Sequence, residues 1–363
     1  MPSASGWIYT PEGFKEGTVR FQGGTITEVA RKAEGDVQTK GLILPGFVNA
    51  HTHLGDAVVL EEPQGSLEEV VAPPDGLKFR RLEAASQEEL TAALRGALRR
   101  MLRSGTTASL DFREGGQRGL TALKDAASGL PMDVVAFGRP LGLAYDEEEV
   151  AGLLNLADGV GVSSLSEWEP DALTNLARHV KTEGLPFALH ASEAFREDID
   201  RILDLHPDFL VHMTAGRPSD WERCAEEGVP VVLTPRSQVF FGRVPDIPGM
   251  RAAGLRLMLG TDNAMLAHPS IMREMEFAYQ VAKLHGGVPP EDILAMAYEA
   301  ANLLTRPSRI ALQEGAPCNF LVLDLPGGGD AAYRVIKASE ADIALLAVGP
   351  RIWDRERGWL PEE

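Results

Sequence analysis

The spacing of apolar residues divides the chain into three stretches. Near the start they alternate with polar ones: Thr18-Val-Arg-Phe, the pair Gly23-Gly24 and then Thr25-Ile-Thr-Glu-Val predict two strands joined by a tight turn. The end of the chain returns to this pattern. Phe320-Leu-Val-Leu-Asp, Arg334-Val-Ile-Lys and Ile343-Ala-Leu-Leu-Ala-Val are its expected strands, with a turn at Gly327-Gly328-Gly329. Neither end is large enough to close a core alone, so residues 1–46 and 312–363 are expected to pack together as one small β-sandwich.

Residues 47–311 carry a different rhythm, short apolar runs separated by helical segments. The expected strands are 46–50, 106–112, 134–138, 160–163, 187–190, 209–212, 231–234 and 255–260. Ser86-Gln-Glu-Glu89 is a capping box, in which hydroxyl and carboxylate each satisfy an end-turn amide. It opens a helix with Leu90, Leu94, Ala97, Leu98, Met101 and Leu102 on one face, stopped by Gly105. Ser219-Asp-Trp-Glu222 repeats the device before the strand at Val231. Strands alternating with helices imply a parallel α/β sheet. Eight units in this length suit a closed (β/α)8 TIM-like barrel, although a doubly wound sheet satisfies the same pattern.

Composition narrows the setting. Of 363 residues, 44% are hydrophobic and 24% charged, as in ordinary globular proteins. Met-Pro-Ser-Ala-Ser-Gly-Trp at the N-terminus lacks the basic start and apolar run of a secretory leader. No apolar run approaches the roughly 18 residues of a membrane span. Cys224 and Cys318 lie too far apart in sequence to suggest a disulfide framework, and a reducing cytoplasm is the expected setting. The formal net charge of −18 works against nucleic-acid binding, which needs a clustered basic surface, and is read as favouring solubility.

The chemistry gathers at strand ends. His51 and His53 follow the first barrel strand, His190 ends the fifth, His212 ends the sixth and Asp262 follows the eighth. In a parallel barrel those C-terminal ends open on one face, where active sites are built. Side chains two apart on an extended chain point the same way. Two imidazoles so placed can therefore reach one ion at about 2.0–2.1 Å each. A lone histidine at a strand end is more often structural, and Asp262 alone reads equally well as a helix cap; the combination is what favours a metal seat. Glu193, three residues beyond His190, reads either as a proton carrier or as a first-turn glutamate of a following helix. His268 is a candidate substrate contact, while His179, His206 and His285 read as surface residues. Arg113 after the second strand, Arg139 after the third, Phe79 in the long Leu77-Lys78-Phe79-Arg80 segment and Ser237 after the seventh are the candidate substrate contacts. The two arginines suggest an anionic or strongly polar substrate group, or else salt bridges between loops.

Taken in order, Leu44-Pro-Gly-Phe-Val-Asn-Ala-His51-Thr-His53, Ser104-Gly-Thr-Thr, Leu189-His190-Ala-Ser-Glu193, Val211-His212 and Leu259-Gly-Thr-Asp262 resemble the amidohydrolase superfamily. The resemblance runs to Glu314-Gly-Ala-Pro-Cys-Asn-Phe-Leu-Val-Leu-Asp, with Cys318-Asn319 where Ala-Asp is usual. It implies a barrel carrying a sandwich built from both chain ends, a small-molecule substrate and a homodimer. It also implies one divalent metal, Zn²⁺ or Fe²⁺, on His51, His53, His190 and Asp262. Binuclear members bridge two ions with a lysine at the fourth strand, and Val160-Gly-Val-Ser163-Ser164 has none. The His-x-x-Glu pattern is similar to the cytosine, guanine and adenosine-type deaminases. In that likeness Asp262 is the general base, His212 orients the water and Glu193 moves protons. Hydrolysis of an amide, cyclic imine or C–Cl bond is the second enzymatic reading, and a non-catalytic binding or assembly protein is the third. The Ser163-Ser164 pair, standing near where adenosine-type members often carry a histidine, argues against purine nucleosides.

Overall fold

A computed structural model describes residues 2–32, 39–304 and 311–359. Strands β1 (Ser3–Thr10), β2 (Gly13–Gln22), β3 (Thr25–Ala30) and β4 (Thr39–Pro45) come first. There follow β5 (Phe47–His53), β6 (Thr106–Arg113), β7 (Asp133–Gly138), β8 (Gly159–Val162) and β9 (Phe187–Ala191). Next are β10 (Phe209–His212), β11 (Val231–Leu233), β12 (Leu257–Leu259) and β13 (Asp262–Asn263). The chain closes with β14 (Asn319–Leu323), β15 (Ile343–Val348), β16 (Arg351–Asp354) and β17 (Gly358–Trp359).

β5 to β13 form one parallel sheet in the order β12-β11-β10-β9-β8-β7-β6-β5-β13. β12 and β13 are two halves of one strand. Between them the Gly260 amide donates to Leu233 O in β11, and the Thr261 amide to His51 O in β5. The sheet therefore starts and ends on the same segment, which makes it a closed (β/α)8 barrel. Gly260 permits the closure: a Cβ there would lie 2.8 Å from the His51 N, O and Cβ atoms. Val48, Ala108, Leu110, Phe112, Phe137, Phe209, Val211 and Met258 fill the lumen, leaving polar side chains at the C-terminal mouth.

The helix Gln87–Arg103 has the expected capping box and buries the six expected apolar residues. They pack on Ala122, Leu123 and Ala126 of the neighbouring helix. Its chain reverses at Gly105, at φ +75°. The second expected box is displaced. The helix Pro218–Glu226 starts two residues earlier, capped at Arg217, and the Asp220 carboxylate accepts from the Arg217 amide.

The two ends of the chain share one eight-stranded sheet, ordered β17-β16-β15-β14-β4-β1-β2-β3. It rolls over on itself: Thr25 in β3 bridges Pro317, and the Cys318 amide donates to Gly24 O. Val19, Phe21, Ile26, Ile43, Phe320, Val322 and Leu345 fill the roll. One expected strand is a helix. Residues 331–336 bury Ala331, Ala332, Val335 and Ile336, a spacing of one helical turn, so the pair Val335-Ile336 belongs to a helix face. Residues 305–310, near the end of the expected barrel stretch 47–311, lie outside the described residues. Among the described residues no helix is long and apolar enough to cross a membrane.

Candidate metal centre and active site

β5 carries both histidines of its motif inside the strand, since it extends to His53. Its register with β6 is irregular between Asn49 and Thr52. The His51 ring, within that break, and the His53 ring, just past it, have centroids 4.5 and 6.0 Å from Phe112, and His190 joins them at 5.3 Å. One donor atom from each of His51, His53, His190 and Asp262 lies within 4.8 Å of the other three. His53 Nε2 is 3.2 Å from His190 Nε2, and Asp262 Oδ1 is 3.4 and 3.7 Å from the Nε2 atoms of His51 and His53.

Three of the four donors have a polar contact behind them. His190 Nδ1 donates to Val162 O at 2.8 Å, which turns Nε2 toward the centre. The Ser237 hydroxyl donates to Asp262 Oδ2 at 2.6 Å and leaves Oδ1 facing the histidines. His53 Nδ1 lies 2.6 Å from Glu114 Oε1, and that same oxygen is 2.6 Å from Lys78 Nζ. The Thr52 hydroxyl and the Leu54 amide both donate to Asp111 Oδ1, at 2.9 and 2.7 Å, fixing the chain around His53.

Burial holds the His51, His53 and His190 imidazoles below their ordinary pKa, His53 at about 3, so all three are neutral at pH 7. Burial opposes ionisation of Asp262, but His51, His212 and His53 around it outweigh that and keep the carboxyl well below its usual value. Both ring nitrogens of His51 are buried and lack a hydrogen-bond partner. Three neutral imidazoles and one carboxylate, with a buried nitrogen otherwise unsatisfied, form a donor set that a divalent cation fits.

Beside this set, at the end of β10, His212 adopts a left-handed backbone at φ +77°, as Asp262 does at φ +57°. Non-glycine residues hold such angles only where the surroundings fix them. His212 Nδ1 lies 3.2 Å from Thr234 Oγ1, and its Nε2 is 3.4 Å from Glu193 Oε2. Glu193 is on a loop rather than in a helix. Its preceding residue is clamped by Glu197, whose carboxylate accepts from the Ser192 and Ser166 amides at 2.7 and 2.8 Å. Burial pushes the Glu193 carboxyl above its ordinary pKa, against the opposing pull of His212.

The amidohydrolase family's sequence profile matches residues 42–349 of this chain. The chain belongs to the amidohydrolase family. A putative aminohydrolase from Methanothermobacter thermautotrophicus is 30% identical over 341 residues, covering 87% of this chain and 88% of that protein. Two solved structures share the fold. An adenosine deaminase from Xanthomonas campestris with bound zinc has a TM-score of 0.80 at 15% identity, covering 99% of this chain and 94% of that one. Atrazine chlorohydrolase from Arthrobacter aurescens, complexed with zinc, has a TM-score of 0.79 at 17% identity, covering 99% and 96%. This amidohydrolase is thus a hydrolase of small molecules with a seat for a divalent metal.

A small cavity over the seat, with about 50 Å³ of open space, is lined by His53, His190, His212, Asp262, Glu193, Lys78, Arg139, Ser163 and Ser164. Leu67, Val71, Ala72 and Pro73 roof it. Of the expected substrate contacts, Arg139 lines this cavity. Arg113 lies elsewhere: it is fully buried, and its guanidinium contacts Asp111 and Glu114, so it braces Glu114 and does not reach the opening. Ser237 is occupied with Asp262. Phe79 stands one layer out, its ring centre 5.9 Å from Arg139 Cζ. His268 borders none of the cavity over the seat, and its carbonyl accepts from Arg236 Nη2. Glu114 and Lys78 are the residues that sequence reasoning passed over. Glu114 was visible as a polar residue just past the second barrel strand, but Arg113 beside it drew the substrate role.

Proposed function

We propose that this amidohydrolase is an aminohydrolase that releases ammonia from an sp² carbon of a nitrogen heterocycle. The observation that carries the reading is Glu193, a partly buried carboxyl raised in pKa, which lines the same cavity as His53, His190 and Asp262 and is not part of the donor set. Zinc is the proposed ion for this seat of three nitrogens and one carboxylate oxygen, and zinc is bound in the two solved structures of the same fold. A divalent ion held by His51, His53, His190 and Asp262 supplies Lewis acidity, enough to bring the pKa of water from about 15.7 towards about 7.

The residues of the chain divide the remaining work. Asp262, held in place by the Ser237 hydroxyl, accepts the proton of the attacking water. His212, braced at Nδ1 by Thr234, orients that water through Nε2. Glu193 delivers its proton to the ring nitrogen beside the attacked carbon, then carries a proton to the departing ammonia. Both cysteines are free thiols, in keeping with a reducing compartment such as the cytoplasm.

The test is a screen of zinc-loaded protein against amino-pyrimidines, aminopurines and amino- and chloro-triazines, scored for ammonia and for chloride. Ammonia release from at least one amino-heterocycle is expected, with about one zinc per chain. Chloride release without ammonia would replace the reading with dehalogenation. A protein that binds no divalent ion would remove the hydrolytic reading altogether.

A further inference from the structure

The cavity over the metal seat is too small for a large ligand, yet it shares two walls with a far larger one. The second cavity has about 940 Å³ of open space, the upper end of the range for small-molecule sites. Pro73 and Arg139 border both. The partition is thin elsewhere too: the Trp168 indole N–H, on the large side, donates at 3.1 Å to Ser163 Oγ, on the small side. Glu114, which lines the large cavity, stands 2.6 Å from His53 Nδ1.

The chemistry of the two spaces differs. The cavity over the seat is ringed by ionisable groups, whereas the larger one offers mainly apolar wall, from Phe79, Leu82, Leu90, Leu143, Leu153 and Trp168, although Glu83, Gln117, Arg118 and Glu149 also border it. Leu141 at its rim is 76% exposed, an apolar side chain left in water. Polar groups at the large cavity's inner end are Arg139 and Glu114, beside the catalytic side.

We propose that the large cavity receives an extended apolar appendage of the substrate, so that this enzyme acts on amino-heterocycles carrying an alkyl- or aryl-type substituent rather than on bare bases. The reacting ring lies at the metal seat beneath the 67–73 roof, and the substituent passes Pro73 and Arg139 into the space bounded by Phe79 and Trp168. The inference rests on the aminohydrolase reading for the head of the molecule; the cavity alone supports the tail.

The experiment uses 1-alkylcytosines and 9-alkyladenines from methyl to octyl, with zinc-loaded enzyme. Ammonia release gives KM, and displacement of 1-anilinonaphthalene-8-sulfonate gives binding independently of turnover. KM is expected to fall by about fourfold per buried methylene over the first several carbons. The double variant Leu141→Asp, Leu143→Asp, changed at an exposed and a half-buried position, should flatten that dependence on length. Turnover with a KM indifferent to chain length overturns the inference and leaves the aminohydrolase reading standing. Length-dependent binding without ammonia, lost in the double variant, supports the cavity and overturns the reading for both base classes. Neither turnover nor length-dependent binding overturns the inference.

Discussion

Glu114 Oε1 lies 2.6 Å from both His53 Nδ1 and Lys78 Nζ, so one buried oxygen contacts a proposed metal ligand and a lysine together. Burial opposes its ionisation, but Lys78, His53 and Arg113 hold the carboxyl well below its ordinary value. Partners of this kind typically set metal affinity by about 10–100-fold. Glu114→Gln is therefore expected to weaken zinc binding by about that factor in a chelator competition, at a temperature where circular dichroism shows the variant folded. Equal affinity would leave Glu114 as a partner of Lys78 and Arg113 only. Glu193 calls for a different readout. Because burial raises its carboxyl, it keeps its proton to higher pH than a free glutamate. An acid is active below its pKa, so kcat/KM should decline as pH rises through that value. Glu193→Gln should lose about 10²–10⁴ in kcat, keep its zinc and lack this alkaline limb. Loss of zinc in the variant would make Glu193 a structural residue.

At the scale of elements, the site depends on how closely β12–β13 lies against β5. A Cβ at Gly260 would stand 2.8 Å from three His51 atoms, so Gly260→Ala must push apart the strands that carry His51 and Asp262. Overpacking of this sort costs about 1–3 kcal/mol, readable as a lower urea midpoint, and zinc occupancy should fall with it. A variant with unchanged midpoint and full zinc would show that the seam is slack. The eight barrel strands and the positions of His51, His53, His190, His212 and Asp262 at their ends were legible because short apolar runs and strand-end polar residues are local patterns. Less legible were features that depend on distant partners. Arg113 looked available until the fold placed Asp111 and Glu114 around it, and Ser237 until Asp262 met it across 25 residues. Residues 334–337 misled because two adjacent apolar residues fit a strand and a helix face equally well. The break that divides the eighth strand, and with it the closure onto β5, has no signature beyond the Gly260-Thr261 pair itself.

For the molecule as a whole, closure brings the first and last barrel segments together at the mouth, and Asp56 is where they are tied. Its carboxylate accepts from Asn263 Nδ2 at 2.8 Å and from the Met265 amide at 3.1 Å, joining residues 207 and 209 positions apart. Burial nevertheless raises this carboxyl to about 7, with Lys78 pulling the other way. The consequence for stability follows from proton counting. Between the ordinary carboxyl pKa of about 4 and a folded value near 7, the unfolded chain has lost the Asp56 proton while the folded chain keeps it. The folded state then binds more protons, so stability falls as pH rises across that window and is flat below it. Asp56→Asn replaces the titrating group with a neutral one that can accept only one of the two hydrogen bonds, so it should be less stable at low pH. Its stability should also change less with pH. Denaturant midpoints of the zinc-loaded wild type and variant at intervals from pH 5 to pH 8 test this, since any pH dependence of metal binding common to both cancels in the comparison. A constant difference between the two proteins across that range would show that the tie at the barrel mouth is ionised throughout and holds the closed ring by hydrogen bonding alone.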